Sequence, residues 1–489
     1  VKYVHIFEPP VNAADQKQII GRATRTCGQK GLEFNDKTGW PLNVFIYDLE
    51  IPQQLRPSLL NSMNTFDLLM KSMNEDMRMT NFGYDIERLS VFGSVDYDLT
   101  KHIHNFAITP DDNEEDIQTI YGGRHLKYGE ERVIDPNKMT FLKMKDYIRE
   151  HFSKFEWEPV KMQNMCVDTR GHSGRPKKLI DYTPSQDFIR HYFTPTGPVK
   201  GMLLHHSVGT GKTCSAIACA TRNFEPEEYT ILWVTRTTLK NDIWKNMFQQ
   251  ICNENIRNKL LEGEEIPDDP KKQMRMLSKS WQIRPMSYKQ FSNLVSKEND
   301  FYRRLVERNG LEDPLRKTLL IIDEAHKLYG GDDLSSIERP DMIALHKSLM
   351  NSYAVSGADS VRLLLMTATP ITESPMELVQ LVNLCKPFEH QMPHSFDAFS
   401  GKYLDKEGFF SEKGEVRFLD DIAGHVSYLN REKDARQFAQ AIIKRVNVPL
   451  ATEAQFEVMR QYDAYYMRTH NNETLEELKT KVKTQNEYI

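Results

Sequence analysis

Cysteine is scarce in this chain. Only six cysteines occur among 489 residues, and no two of them form a Cys-x-x-Cys pair. Pairs at that spacing are typical of zinc sites, and dense cysteine patterns are typical of small secreted proteins. The sequence therefore predicts neither a disulfide framework nor a common zinc site, and it favours a reducing compartment.

Long apolar runs and a basic excess are also missing, and the sequence predicts no signal peptide. The longest apolar stretches, at 318–322 and 363–366, fall far short of the roughly 20 residues that cross a bilayer. The formal net charge is -5, so any nucleic-acid binding must use a local basic surface. With 39% hydrophobic and 27% charged residues, the composition is that of an ordinary globular protein. We therefore expect an intracellular globular protein, and the length suggests roughly three domains.

Between residues 181 and 395 short apolar runs alternate with amphipathic stretches. This alternation predicts an α/β fold with a parallel sheet between helices, and continuous apolar runs indicate strands buried on both faces. The predicted strands are 201–205, 231–235, 284–287, 318–322 and 361–367. The predicted helices include 181–193, 212–223 and 238–252.

A phosphate-binding loop is predicted directly after the first of these strands. The loop consists of Ser207, Val208, Gly209, Thr210, Gly211, Lys212 and Thr213. Small residues let backbone N–H groups approach a phosphate, and the helix that follows adds partial positive charge. We expect Lys212 to reach the β- and γ-phosphates of ATP and Thr213 to help hold Mg²⁺. The motif departs from G-x-x-x-x-G-K-[ST] at its first position, which is His206.

Two further strands end in polar residues that suit the same chemistry. Asp323 and Glu324 follow the apolar run 318–322, where we expect Asp323 to bind Mg²⁺ and Glu324 to polarise the attacking water. Thr367 and Thr369 follow the run 361–367. A hydroxyl pair alone is uninformative, but the order of phosphate loop, acidic pair and hydroxyl pair is restrictive.

These three motifs together resemble the first motor lobe of superfamily 2 helicases and translocases. The resemblance implies a RecA-like lobe over 181–395 and assigns further roles to residues of this chain. Gln186 is similar to the adenine-reading glutamine, and His326 would couple hydrolysis to movement together with Thr367 and Thr369. The residues similar to nucleic-acid-binding motifs Ia and Ib are Arg236, Thr237, Lys240 and Ser287. The run 367–385 is similar to the Swi/Snf-type branch and to the early-transcription-factor-type, helicase-like ATPases of large nucleocytoplasmic DNA viruses. The segment 424–429 is similar to the bridge that follows the lobe in the same viral group.

A segment near the N-terminus, 18–29, resembles motif VI of the same superfamily, which belongs to a second lobe. Arg22 and Arg25 would be its arginine fingers, and their spacing places them on one face of a helix. In this superfamily motif VI follows the acidic motif, yet here it lies far upstream of Lys212. We interpret the chain as a stretch of a longer protein that runs from one motor module into the next. A circular permutation is the alternative, and in either case the two arginines need not face Lys212.

The predicted organisation follows from this interpretation. It comprises the end of a second RecA-like lobe (1–50), a helical extension (51–120), a linker or accessory segment (121–180), the ATP-binding lobe (181–395), and a bridging segment with the start of a further lobe (396–489). The extensions on either side of the lobe are expected to be mostly helical.

The predicted activity is nucleic-acid-dependent ATP hydrolysis with ATP and Mg²⁺. It would drive translocation, unwinding or remodelling of a transcription complex on DNA or RNA. The resemblance implies RNA polymerase or transcription-factor subunits as partners, no membrane, and a viral protein acting in the host cytoplasm or nucleus or packaged in the virion. Two alternatives stay open: a DNA-packaging or restriction-type translocase, and a non-catalytic helicase-like scaffold.

Overall fold

The computed structural model describes residues 1–7, 13–53, 56–59, 61–65, 67–68, 77–104, 135–166, 181–330 and 334–449. Within them the strands are β1 Tyr3–Ile6, β2 Pro41–Glu50, β3 Gly201–His206, β4 Thr230–Thr235, β5 Met286–Ser287, β6 Thr318–Asp323, β7 Arg362–Thr367, β8 Val426–Leu429 and β9 Gln440–Pro449. Residues 105–120 of the predicted helical extension, 121–134 and 167–180 of the predicted linker or accessory segment, and 450–489, where the start of a further lobe is predicted, lie outside the described residues.

The α-helices of the described ranges are α1 Ala13–Ala23, α2 Met77–Phe92, α3 Tyr97–His104, α4 Phe141–Phe152, α5 Pro184–Tyr192, α6 Lys212–Cys219, α7 Lys240–Phe248, α8 Glu254–Leu261, α9 Pro270–Arg275, α10 Tyr288–Val295, α11 Asp300–Asn309, α12 Met342–Val355, α13 Met376–Leu384, α14 Phe396–Tyr403 and α15 Glu412–Ile422. Helices α2 and α3 lie within the predicted helical extension 51–120, and α4 lies within the predicted linker or accessory segment 121–180.

The chain divides into two compact units. The larger comprises residues 1–2, 12–42 and 76–441, and the smaller comprises 3–11, 43–75 and 442–489. The smaller unit contains a three-stranded sheet in the order β1-β2-β9, in which β1 and β2 run parallel. The predicted domain boundaries stay a prediction.

The larger unit is built on a six-stranded sheet in the order β5-β4-β6-β7-β3-β8. Every neighbouring pair is parallel. Strands β3, β4 and β7 are buried along their whole length, and β6 is buried except at Asp323. This burial explains their continuous apolar sequences, because helices cover both faces of such a sheet. The predicted α/β fold with a RecA-like parallel sheet is confirmed.

Several local expectations are corrected. The segment we predicted as a bridge contains the sixth strand, β8, which pairs with β3 beyond the predicted end of the lobe at 395. Strand β5 has only two residues instead of four. Helix α6 ends at Cys219 and continues as a π-helical turn, Ala220–Phe224.

The cysteine expectation is wrong for four of the six residues. The structure pairs Cys27 with Cys166 and Cys214 with Cys252, with Cα atoms 5.4 and 5.2 Å apart. Such distances lie in the range that a disulfide bridges. The partners are 139 and 38 residues apart in sequence, so only the fold brings them together. The absence of disulfides therefore no longer supports a reducing compartment.

Candidate nucleotide site

The predicted site residues follow strands whose carboxyl ends share one edge of the sheet. Because the six strands are parallel, the segments after β3, β4, β6 and β7 all emerge at that edge. The register pairs His205 with Thr367, and Asp323 with Met366. Ligands of open parallel sheets bind outside this edge.

The phosphate loop has the backbone shape that its glycines allow. Gly209 and Gly211 have φ angles of 79° and 82°, and α6 begins directly after Gly211. A side chain at Gly211 would place its Cβ atom 2.8 Å from Nε2 of Gln186, which is too close. The loop therefore exposes backbone at the start of a helix, which is the arrangement that binds phosphate.

Lys212 lies inside this loop and bonds to its main chain. Its Nζ donates to the carbonyl oxygens of His206 at 2.9 Å and Ser207 at 3.1 Å. Burial lowers the pKa of Lys212, and the charges of Glu324 and Asp323 oppose that shift. An ammonium group beside two carboxylates can exchange its carbonyl partners for phosphate oxygens.

Gln186 supports the loop from the side. It occupies the third position of α5, where its Oε1 accepts from the main-chain N of Thr183 at 2.9 Å in a capping box. Its Nε2 donates to the carbonyl oxygen of Gly211 at 3.4 Å. Gln186 thus joins the start of α5 to the phosphate loop, and its adenine-reading role stays a prediction.

The acidic pair sits at the end of β6. Thr235 Oγ1 donates to Oδ2 of Asp323 at 3.1 Å. Burial, and next the nearby charge of Glu324, raise the pKa of Asp323 to about 6, while Lys212 opposes the rise. Glu324 has a left-handed backbone with φ 56° and ψ 48°, which turns the chain sharply after the strand.

The predicted coupling residues meet beside Glu324. His326 Nδ1 lies 2.8 Å from Oγ1 of Thr367 and 3.5 Å from Oε2 of Glu324. The main-chain N of Thr369 donates to the same threonine hydroxyl at 3.0 Å. One histidine thus bridges the acidic motif and the hydroxyl pair of the neighbouring strand.

The predicted nucleic-acid residues lie at the ends of β4 and β5. Arg236 and Thr237 are exposed. Lys240 Nζ donates to Oε1 of Gln290 at 2.6 Å, and the same oxygen accepts from the main-chain N of Ser287 at 3.0 Å. Two of the four predicted residues therefore share one glutamine, which sequence reasoning missed.

The N-terminal segment docks onto the phosphate loop of this same lobe. Thr26 Oγ1 donates to the carbonyl oxygen of Gly209 at 3.0 Å, and a Cβ atom at Gly21 would lie 3.5 Å from Val208 Cγ2. Both Arg22 and Arg25 are exposed. The expectation that they share a helical face is wrong, because α1 ends at Ala23 and Arg25 lies in the following turn.

A buried chain of hydrogen bonds explains the histidine at the start of the loop motif. His206 Nε2 lies 2.8 Å from Oγ of Ser427, which donates to Oδ2 of Asp96 at 2.5 Å. The other carboxylate oxygen of Asp96 accepts from the main-chain N of Tyr428 at 2.9 Å. The side chain at position 206 thus fastens the end of β3 to β8 and to the loop before α3.

Replacing Asp96 with asparagine should change how stability depends on pH. Burial raises the pKa of Asp96 to about 6 from an ordinary 3.8, so the folded protein keeps this proton to a higher pH than the unfolded chain. This carboxyl therefore stabilises the fold most below pH 3.8, and that contribution is lost as the pH rises to 6. Relative to Asp96→Asn, the wild type should lose about 3 kcal/mol of unfolding free energy over this interval.

Denaturant unfolding of both proteins at several pH values between 3.5 and about 7 measures this difference. The asparagine can still accept from Tyr428 and donate to Ser427 Oγ, so it is a matched replacement. A difference in unfolding free energy that stays constant with pH would contradict the prediction.

Within the described ranges, no cluster of three or more histidine, cysteine or carboxylate side chains could hold a metal by itself. A magnesium site beside ATP needs fewer protein ligands, because Mg²⁺ is usually held by one or two carboxylates together with substrate phosphates. Among the helices of the described ranges, none is long and apolar enough to span a bilayer.

Comparison with known proteins agrees with this geometry. Residues 186–372 match the family model described as type III restriction enzyme, res subunit. The chain is 26% identical over 309 residues to the "Putative ATP-dependent RNA helicase R563" of Acanthamoeba polyphaga mimivirus, covering 60% of this chain and 47% of that protein. It is 23% identical over 235 residues to a "Termination factor NPH-I homolog" of African swine fever virus, covering 48% and 29%.

A third relative is the "Uncharacterized killer plasmid pGKL-2 helicase" of Kluyveromyces lactis, with 22% identity over 290 residues, 57% of this chain and 40% of that protein. The chain spans less than half of the length of each of these relatives. The matched family model lies in the six-stranded unit and includes the phosphate loop, the acidic pair and the hydroxyl pair. Residues 186–372 are therefore similar to the ATPase lobe of such restriction-enzyme subunits, and the chain is similar to helicases from large DNA viruses.

Proposed function

We propose that this protein hydrolyses ATP under the control of bound nucleic acid and uses the energy to translocate on, unwind or remodel a nucleic-acid complex. The observation that carries the proposal is the meeting of Lys212, Asp323–Glu324 and the His326–Thr367 pair at one sheet edge. The predicted nucleic-acid residues lie at the same edge. The similarity to viral helicases and to a termination factor supports transcription complexes of a DNA virus as the setting.

ATP binding is assigned to the loop. The main chain of 207–211 and the start of α6 would surround the β- and γ-phosphates, and Lys212 would pair with them. Because two glycines at positive φ and the Gln186 amide shape the loop before ATP arrives, little reorganisation is needed.

Thr213 and Asp323 suit Mg²⁺. Their oxygens are of the type that Mg²⁺ prefers, and Asp323 has a raised pKa because its buried charge is poorly compensated. Thr213 and Asp323 would hold Mg²⁺ beside ATP, where the ion would supply positive charge that offsets part of the phosphate charge.

Water activation is assigned to Glu324. Its carboxylate would orient the attacking water toward the γ-phosphate, and His326 lies within reach of that carboxylate. His326 also contacts Thr367. A shift of β7 or of the loop after it would therefore move His326 and, through it, the carboxylate of Glu324. We assign the coupling role to His326, Thr367 and Thr369 on these contacts.

Nucleic acid is assigned to Arg236, Thr237, Lys240 and Ser287. Hydroxyls, main-chain N–H groups and cationic side chains at strand ends suit the phosphate backbone, which carries no sequence information. Partners among RNA polymerase or transcription-factor subunits, and action in the cytoplasm or nucleus of an infected cell, belong to the same proposal.

Steady-state ATP hydrolysis with and without single-stranded DNA or RNA tests the proposal. We expect stimulation by at least one nucleic acid and loss of nearly all turnover in Lys212→Ala. The exposed Lys413→Ala is the matched control and should hydrolyse ATP like the wild type. Absence of hydrolysis by the wild type under every condition would instead support a non-catalytic scaffold.

A translocase that moves on duplex without separating it is the second candidate. The match to a restriction-enzyme subunit favours it. Release of a third strand from a triplex, without strand separation in a partial duplex, would select this candidate over an unwinding helicase.

A further inference from the structure

The backbone of Glu324 adopts a conformation that the chain does not reach unaided. Its φ of 56° and ψ of 48° are left-handed, and in this region the Cβ atom of an L-residue crowds the following carbonyl oxygen. Such a residue keeps its shape only when the surroundings hold it. The position of the Glu324 carboxylate therefore depends on whatever fixes this turn.

Tyr288 fixes it. Its hydroxyl donates to the carbonyl oxygens of Asp323 at 2.7 Å and Glu324 at 3.0 Å, so both acidic residues share one donor. The ring is buried, with 2% of its surface exposed.

Tyr288 also begins α10, the helix that directly follows the predicted nucleic-acid residue Ser287. Ser287 caps α10, and Gln290 completes the capping box. The Oε1 atom of Gln290 accepts from Lys240, which starts α7. Lys240, Ser287 and Tyr288 therefore belong to one hydrogen-bonded unit that touches the acidic turn.

We propose that Tyr288 is a positioning residue that transmits nucleic-acid binding to Glu324. Phosphate groups engaging Lys240 and Ser287 would compete with Gln290 for its hydrogen-bonding partners and shift the start of α10. The hydroxyl of Tyr288 would carry that shift to the peptide groups on both sides of Glu324. This inference rests on the proposed function, since it explains how nucleic acid stimulates hydrolysis.

The test compares Tyr288→Phe with Tyr353→Phe. Each variant removes one buried hydroxyl that donates to a main-chain oxygen, but Tyr353 bonds to Leu384, away from the acidic turn. We expect the ratio of nucleic-acid-stimulated to basal kcat to fall about tenfold in Tyr288→Phe, the size of one lost hydrogen bond. The KM for ATP and the affinity for nucleic acid should stay within about twofold, and Tyr353→Phe should keep the full ratio.

A Tyr288→Phe protein with the wild-type ratio overturns the relay and leaves the proposed function standing. A wild type that no nucleic acid stimulates overturns both. If Tyr288→Phe does not fold, Gln290→Leu provides the same test, because it separates Lys240 and Ser287 from their shared partner and leaves the phenol in place. It should also lower the ratio, and an unchanged ratio there overturns the relay.

Discussion

Replacing Arg22 and Arg25 together by alanine should lower the turnover of ATP by roughly 10³–10⁵, the usual contribution of an arginine finger. The physical reason is the docking of the N-terminal segment: Thr26 bonds the main chain of Gly209, so the arginines lie one and four residues from a direct contact with the phosphate loop. Guanidinium groups there would stabilise the charge that develops on the γ-phosphate. The KM for ATP should change little, since this contribution arises in the transition state.

The exposed Lys37→Ala, in the same N-terminal stretch, is the matched control, because it removes a cation without touching the docked turn. Single variants of Arg22 and Arg25 divide the effect between them. Wild-type turnover by the double variant would mean that these arginines serve some other site, as expected if the segment belonged to a different motor module.

Glu324→Gln should lower turnover by roughly 10²–10⁴ while ATP still binds, because the amide keeps the size of the side chain and loses its basicity. The bound nucleotide should accumulate as ATP, which a filter-binding assay followed by chromatography of the released nucleotide can measure.

The control for this variant is Glu373→Gln. Glu373 is an exposed carboxylate in the loop after β7, so its replacement makes the same chemical change outside the acidic pair. Hydrolysis by Glu324→Gln at the wild-type rate would contradict the prediction, because it would show that a group other than Glu324 activates the water.

The sheet and the loop were predictable because local sequence determines them. Continuous apolar runs such as 363–366 can be buried on both faces only inside a parallel sheet, and glycines before Lys212 permit the left-handed turns of the loop. The order of motifs along the chain then predicted which strand ends carry polar residues.

The residues that sequence reasoning missed act through contacts between distant parts of the chain. Asp96 reaches Ser427 across 331 positions, and Thr26 reaches Gly209 across 183. Tyr288 directly follows Ser287 in the segment similar to motif Ib, but nothing in the sequence shows that its hydroxyl reaches Asp323, 35 positions away. The edge strand β8 was missed because it has only four residues and acquires its strand character by pairing with β3.

The error at Arg25 has a local cause instead. A spacing of three residues suits a helix, but Gly28 bonds back to the carbonyl oxygen of Arg25 and closes a turn there. Nothing within the segment 18–29 shows which lobe it docks against. Its contacts with Gly209 and Val208 appear only in the folded chain.

The structure of the protein with Mg²⁺ and a non-hydrolysable ATP analogue tests the central claim most directly. We predict that the γ-phosphate lies between Lys212 Nζ and the carboxylates of Asp323 and Glu324, with Thr213 Oγ1 and Asp323 on the Mg²⁺ side. A nucleotide bound anywhere else, with Lys212 still bonded to the carbonyl oxygens of His206 and Ser207, would contradict the account.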